Sequence, residues 1–137
     1  MPIKNTGPVI YHGEKQPYAK SIVCDGKLVF CSGASAQTFE TGEVRSDDIR
    51  VQVWDALDKI KKYLEDAGAR LEDIVWMTNY VKDMGDIDKI KKAREDYYRE
   101  HAPSLIDNPP CVTGLQVGSL VKANAKVEMA VIACIPR

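Results

Sequence analysis

The spacing of apolar and polar positions predicts two amphipathic helices. Apolar residues recur at steps of three and four in two segments, which places them on one face of an α-helix. The first set is Ile49, Val53, Ala56, Leu57, Ile60, Leu64 and Ala67, and the second is Ile87, Ile90, Ala93 and Tyr97. These sets predict a helix over about residues 47–67 and a second helix that ends before Pro103, because proline cannot continue a helix.

Residues with a preference for helix ends flank the first helix. Ser46 is predicted to cap its N-terminus, and Asp47 and Asp48 suit the positive end of the helix dipole. Gly68 is suited to the position just past the C-terminus, where left-handed backbone is common.

Two strand-like runs, residues 19–24 and 27–32, flank the dipeptide Asp25-Gly26. This dipeptide readily supplies the two positive φ angles of a type I′ turn, so the pattern predicts a β-hairpin. Further strand-like runs cover residues 74–81, 112–120 and 125–135.

The predicted element order is β-β-α-β-α-β-β within one domain, residues 1–137, a length typical of single domains. Residues 1–16 contain two prolines and two glycines and are interpreted as an irregular N-terminal arm or edge strand. The order favours an α+β fold with a mixed β-sheet and two helices on one face.

Both faces of the last predicted strand are largely apolar. One face carries Val127, Met129, Val131 and Ala133, and the other carries Lys126, Glu128, Ala130, Ile132 and Cys134. A sheet with one side in water normally shows a polar outer face. Since only two helices are available to cover it, we expect a homo-oligomer whose sheets pack against each other.

Composition and charge exclude several classes of function. The chain is 45% apolar and 28% charged with a net charge of −1, which is typical of a globular protein and does not favour nucleic acid or a membrane surface as partner. The basic residues Lys89, Lys91, Lys92 and Arg94 are interspersed with acids and are interpreted as a solvated helix face. The chain lacks a segment typical of a membrane span or secretion signal, which predicts a cytoplasmic location.

The four cysteines give little indication of a metal site. Cys24, Cys31, Cys111 and Cys134 form no C-x-x-C pair, and His12 and His101 lie far from them in sequence. We therefore expect reduced cysteines packed as small apolar residues, with no metal and no other cofactor.

Glu128 is the one acidic residue within the apolar last strand, and two interpretations are open. In the structural one, it is half-exposed and paired with a base such as Lys126. In the functional one, it is a carboxylate in a subunit cleft that moves protons. The strand pattern alone favours the structural interpretation.

Several segments taken together resemble the RidA/YjgF reactive-intermediate deaminase superfamily, once described as L-PSP endoribonucleases. The resemblance covers roughly residues 17–134. It rests on Pro17-Tyr18, Phe30-Cys31-Ser32-Gly33, Thr41-Gly42-Glu43-Val44, residues 52–60, 67–75 and 80–84, and Lys126-Val127-Glu128-Met129.

This resemblance implies a chorismate-mutase-like fold and a homotrimer with inward-facing sheets and three inter-subunit clefts that hold a small molecule. In deaminating members, an arginine in a Pro-Ala-Arg-Ser-like segment binds the substrate carboxylate, and a glutamate of the last strand manages the hydrolytic water. A tyrosine and a Ser-Gly turn line the cleft. Bidentate arginine is a natural carboxylate ligand.

Carried to this chain, the resemblance makes Glu128 and Tyr18 candidate catalytic residues, with Ser32 and Gly33 as the Ser-Gly turn. Cys111, Val112 and Thr113 occupy the segment that carries the arginine, and Val112 stands in its place. Lys91 or a neighbour replaces an asparagine often found in the second helix.

Structural interpretations stay open beside these roles. Tyr18 suits a packing role, Ser32-Gly33 suits the end of a strand, and Cys111 suits a packed thiol, since no histidine adjoins it in sequence.

The missing arginine determines the predicted function. We expect a hydrolytic deaminase of a small enamine or imine, such as an aminomuconate-like metabolite, and not an efficient 2-iminoacid deaminase. A ligand-binding or regulatory trimer without turnover is the alternative. Endoribonuclease activity is weaker still, because the chain has no basic excess.

Overall fold

The computed structural model describes residues 3–137. Within them the strands are β1 (Ile3–Asn5), β2 (Pro8–Tyr11), β3 (Glu14–Ala19), β4 (Ile22–Cys24), β5 (Gly26–Phe30), β6 (Ala34–Ser35), β7 (Ile74–Val81), β8 (Cys111–Gln116) and β9 (Val127–Pro136). The helices are α1 (Ile49–Asp66), α2 (Ile87–His101) and the short α3 (Ser104–Asp107). The predicted α+β class with a mixed sheet is confirmed.

The main sheet has the strand order β5-β9-β7-β8, and β6 pairs with another part of β9. β7 and β8 run parallel, which α2 makes possible by crossing over between them, while the other pairs are antiparallel. β9 is therefore the central strand, with β5 and β6 along one side and β7 along the other.

The hydrophobic core lies between this sheet and the helices. Val127, Met129 and Val131 of β9 are buried, as are Leu57 and Ile60 of α1. Fully burying one such side chain contributes about 1.5–3 kcal/mol, so this layer supplies much of the folding free energy. In this part of the chain, no helix is long and apolar enough to cross a membrane.

The ends of α1 agree only partly with prediction. Asp48, not Ser46, is the N-cap, because its carboxylate accepts hydrogen bonds from the backbone N–H groups of Arg50 and Val51 at 2.8 and 3.2 Å. Ser46 lies two residues before the cap, and its hydroxyl accepts a hydrogen bond from the N–H of Asp48 at 3.1 Å. Gly68 has a φ of +79° just past the helix, as predicted.

The predicted Asp25-Gly26 hairpin is wrong. β4 pairs with β1, and β5 pairs with β9, with Gly26 opposite Pro136. The chain therefore passes from one sheet to another at Asp25, and a local dipeptide signal cannot reveal this. The two positive φ angles of a tight hairpin occur instead at His12 and Gly13, between β2 and β3.

These N-terminal strands account for residues 3–16 of the predicted arm, whose first two residues lie outside the described part of the chain. Asn5 holds β1 against the main body, because its side-chain amide donates to the carbonyl of Pro109 at 3.0 Å.

The prediction of four reduced cysteines is wrong for two of them. Cys24 and Cys134 form a disulfide across a Cα–Cα distance of 6.5 Å, while Cys31 and Cys111 are free thiols. The two residues are 110 positions apart in sequence and become neighbours because β5, which follows Cys24, lies along β9.

The sheet face opposite the helices is apolar, as the alternation in β9 predicted. Phe30, Ile132 and Trp76 lie side by side on β5, β9 and β7 in register. Phe30 is 71% exposed, and Trp76 and Leu28 are also exposed. Contiguous exposed apolar surface of this kind marks an interaction face.

Gly26 allows close approach of β5 to β9. A Cβ at this position would overlap the backbone carbonyl oxygen of Ile135, which cannot move without disturbing β9. We expect Gly26→Ala to lower the free energy of unfolding by about 1–3 kcal/mol, measured by denaturant titration. Gly118→Ala is the control, because its added methyl would meet open space. Equal stability of the two variants would show that β9 yields at no cost.

Candidate functional site

The structure divides the predicted site residues between two places. Tyr18, Val112 and Thr113 line a cavity of about 360 Å³ between β3, β8 and α2. Gly33 and Glu128 lie together elsewhere, at the junction of β6 and β9. Within one protomer, therefore, the two groups do not form one pocket.

The cavity is shaped by the attachment of β3 to the start of β8. The N–H of Ala19 donates to the carbonyl of Pro110 at 3.0 Å, which places Tyr18 beside Val112. The Lys91 ammonium lies 6.0 Å from the centre of the Tyr18 ring. Burial, assisted by Tyr11, raises the pKa of Tyr18, so its hydroxyl stays protonated near neutral pH and can donate a hydrogen bond.

Two buried polar residues line the same cavity, and sequence reasoning missed both of them as site residues. Arg94 is 2% exposed and Asn79 is 1% exposed. Nη1 and Nη2 of Arg94, and Oδ1 and Nδ2 of Asn79, are buried and have no hydrogen-bond partner among residues 3–137. Since nearly all buried polar groups in proteins are paired, four such atoms at one cavity require an explanation.

The interpretation of the basic cluster as a solvated helix face is wrong for Arg94. Lys92 is exposed and pairs with Asp96 at 2.8 Å, but Arg94 points inward and Lys91 lines the cavity. A sequence signal existed, because Ile87, Lys91, Arg94 and Tyr98 follow steps of four, three and four and so share one face of α2. Burial raises the pKa of Tyr98, and the positive charge of neighbouring Arg94 opposes this.

Glu128 lies on β9, opposite Ser35 of β6 on one side and Tyr80 of β7 on the other. It is half-buried, and its carboxylate rests against Gly33: a Cβ placed on Gly33 would lie 2.5 Å from Oε2 of Glu128. The missing side chain at Gly33 therefore leaves room for this carboxylate. Ser32 is exposed next to it.

The structural interpretation of Glu128 named Lys126 as a partner, and no ion pair joins the two in the described part of the chain. Lys126 precedes β9 and lines a separate cavity beside the N-terminal ends of α1 and α2. The nearby base is Lys59, which donates to the carbonyl of Gln37 at 2.8 Å. Burial lowers the pKa of Lys59, and the Glu128 carboxylate acts in the opposite direction.

Comparison with known proteins determines the family. The family model described as endoribonuclease L-PSP matches residues 13–135. The chain belongs to this family, the RidA/YjgF proteins.

Among its relatives, a RutC family protein of Pyrococcus abyssi is 33% identical over 85% of each chain. The 2-iminobutanoate/2-iminopropanoate deaminase of Escherichia coli is 31% identical over 85% of this chain and 86% of its own. The crystal structure of Escherichia coli TdcF with bound serine is similar at a TM-score of 0.71 and 28% identity, covering 94% of this chain and 93% of that one.

Cys111 of this RidA/YjgF protein lies at the start of β8, in register with Trp76, and is half-buried. Burial raises the pKa of its thiol, and the same holds for Cys31. A raised pKa reduces the thiolate fraction near neutral pH, which favours a packed thiol over a nucleophile.

We expect Cys111 to react slowly with iodoacetamide at pH 8. The Cys31→Ser variant leaves Cys111 as the free thiol among the described residues. In this variant, the pH at which the alkylation rate reaches half its maximum should be higher than for a cysteine peptide measured alongside. The reason is that the thiolate is the reacting form and burial disfavours the thiolate. Mass spectrometry of the modified peptide gives the rate. A midpoint at or below that of the peptide would indicate an activated nucleophile.

Proposed function

We propose that this RidA/YjgF protein is a hydrolytic deaminase of a small enamine or imine, of an aminomuconate-like kind. The observation that carries the proposal is the Glu128 carboxylate, half-buried against Gly33 and outside the ion pairs of the described residues. A carboxylate in that setting can take a proton from water and return it. The naming of the Escherichia coli relative as an imine deaminase supports the same class of reaction.

The reaction consumes one water. Glu128 accepts a proton as the water oxygen bonds to the imine carbon, and the nitrogen, which receives the C=N electron pair, takes up a proton from solvent to give a carbinolamine. Glu128 then returns its proton to this nitrogen, the C–N bond breaks so that ammonia leaves, and the hydroxyl group loses its proton to solvent as the carbonyl forms. An enamine first takes a proton on carbon to give the imine. Tyr18, whose hydroxyl stays protonated, is proposed to donate a hydrogen bond to the reacting group.

We propose a homotrimer, because the two parts of the site are separate in one protomer. Asn79 is opposite Met129 in register and faces the helices, whereas Glu128, one residue before Met129, projects from the other face. In the proposed packing of the apolar open faces around a threefold axis, Tyr18, which lies beside the edge strand β8, comes near the Glu128 of a neighbour. The exposed row of Phe30, Ile132 and Trp76 supports this packing.

Short 2-imino acids are proposed to be poor substrates. Val112 lines the cavity where the deaminating members of the family carry an arginine, so the α-carboxylate of a short 2-imino acid has no charged partner at that position on β8. Loss of one partner of a buried charge pair costs about 2–5 kcal/mol of binding.

A small-ligand-binding trimer without turnover is the second candidate, and the structure of TdcF with bound serine supports ligand binding within the family. Endoribonuclease activity is weaker, since the net charge of −1 offers no general attraction for RNA.

We expect the protein to be trimeric at micromolar concentration by sedimentation equilibrium. Phe30→Asp should shift the distribution to monomer, because it places a charge on the apolar sheet face. Val121→Asp is the control, since Val121 is exposed in the segment between β8 and β9. A monomeric unmodified protein, or a trimer that Phe30→Asp leaves intact, would contradict the proposed packing.

Glu128→Gln keeps the shape of the side chain and removes its proton chemistry. We expect the unmodified protein to accelerate hydrolysis of 2-aminomuconate and to have little effect on the hydrolysis of 2-iminobutanoate that is generated within the assay. Glu128→Gln should reduce the former rate by about 10²–10⁴-fold, the usual contribution of a positioned acid–base group. Ammonia release measures the rate.

Glu100→Gln, an exposed change on α2, is the control and should keep full activity. Full activity of Glu128→Gln would make the carboxylate structural. A lack of acceleration for both compounds by the unmodified protein would favour the ligand-binding trimer instead.

A further inference from the structure

We propose that Arg94, assisted by Asn79, binds the carboxylate of a small molecule inside the cavity beside Tyr18. The resemblance to deaminating relatives assigns no role to either residue. The proposal concerns binding alone and does not depend on turnover, so it goes beyond the reaction proposed above.

The first support is the state of the Arg94 guanidinium. Its Nη1 and Nη2 atoms are buried without any hydrogen-bond partner in residues 3–137, and the residue lines this cavity and a second one beside Pro17 and Glu95. An arginine remains charged at any physiological pH, and a buried charge without a partner is strongly disfavoured. A bound anion would satisfy both nitrogen atoms and compensate the charge.

The second support is the sign of the charges around the cavity. Lys91 and Arg94 both line it, and among its described lining residues there is no aspartate or glutamate. A lining with two cations and no carboxylate favours an anionic occupant. The cavity volume of about 360 Å³ lies within the range of small-molecule sites.

The third support is the geometry of the unpaired groups. The two Nη atoms of a guanidinium match the two oxygens of a planar carboxylate and can donate to both. Nδ2 of Asn79 can donate a further hydrogen bond, and its Oδ1 requires a donor in return. The preferred ligand is therefore a carboxylate with an N–H or O–H group nearby, as in an amino-substituted unsaturated acid.

The positive charge of this cavity is on α2, at Arg94, whereas the resemblance places the arginine of deaminating relatives at the β8 position of Val112. Val112 lies opposite Met77 on β7, two residues from Asn79, so the cavity keeps an apolar wall at the strand and gains its charge from the helix. Ile87 and Met84 add further apolar surface. An acid with a hydrocarbon chain of several carbons fits these walls better than a fully polar anion.

Titration calorimetry on the full-length assembled protein tests the proposal with a matched pair of ligands. Sorbate carries one carboxylate on a six-carbon chain, and sorbamide has the same chain without the charge. We expect sorbate to bind at least about 10-fold more tightly than sorbamide, because hydrogen bonds to a charged acceptor are roughly twice as strong as neutral ones. Inorganic phosphate, which is a tetrahedral anion, should bind more weakly than sorbate.

Arg94→Met should weaken sorbate binding by at least about 10-fold and abolish the preference over sorbamide. Arg99→Met is the control, because it removes the same charge from the solvent side of α2, and it should bind like the unmodified protein. Arg94→Lys retains the charge without the paired N–H donors of a guanidinium, so its affinity for sorbate should lie between those of the unmodified protein and Arg94→Met. If Arg94→Met does not fold, by circular dichroism, the sorbate preference of Arg94→Lys decides.

Three results would overturn the proposal. The first is the absence of sorbate binding below about 10 mM, as when a carboxylate of a neighbouring copy already occupies the guanidinium. The second is unchanged sorbate binding in Arg94→Met, or in Arg94→Lys where the former does not fold. The third is phosphate binding at least as tight as that of sorbate, which would assign the site to another class of anion.

Discussion

The packing of α2 against β7 and β8 determines where the cationic side chains of Lys91 and Arg94 lie. One stripe of the helix, formed by Ile90, Ala93 and Tyr97, is buried in the main core. A second stripe, with Ile87, Lys91 and Arg94, lines the cavity beside β8. Arg94 is buried and its Nη atoms have no hydrogen-bond partner in residues 3–137, so its charge needs a compensation that these residues do not supply.

The central strand β9 divides the remaining chemistry between two faces of the sheet. Its alternate residues are buried against the helices, while Glu128 projects to the opposite side, beside Gly33. The polar groups of Arg94 and Asn79 are on the helix side. In our proposal, Arg94 of one protomer binds the carboxylate of the substrate, and Glu128 of a neighbour exchanges a proton with the attacking water. Activity would therefore depend on assembly.

Much of the fold could be predicted from the sequence, because helices and strands with one buried face leave a periodic pattern. Both long helices, β7 and the two-faced β9 follow from such patterns. The Asp25-Gly26 hairpin failed because strand pairing is decided by distant partners, here Pro136 and Ile3, and not by the dipeptide alone. The bond between Cys24 and Cys134 was missed for the same reason, since 110 residues separate them.

The candidate site was predictable only where it matched a family motif. Tyr18, Gly33 and Glu128 became candidates in this way, although no physical pattern showed that they lie in two places. Arg94 was missed because its basic neighbours and Asp96 suggest a solvated helix face, and only its packing shows that it is buried. The resemblance places Val112 where deaminating relatives carry an arginine, which indicates that this positive charge is lost. The structure shows that Arg94 lines the same cavity.

A crystal structure of the assembled protein grown with sorbate would test the central claim most directly. Our account predicts the sorbate carboxylate within about 2.7–2.9 Å of both Nη atoms of Arg94, with Nδ2 of Asn79 also donating to it. A structure in which Arg94 instead pairs with an acidic side chain of another copy, or in which sorbate binds away from Arg94, would contradict it.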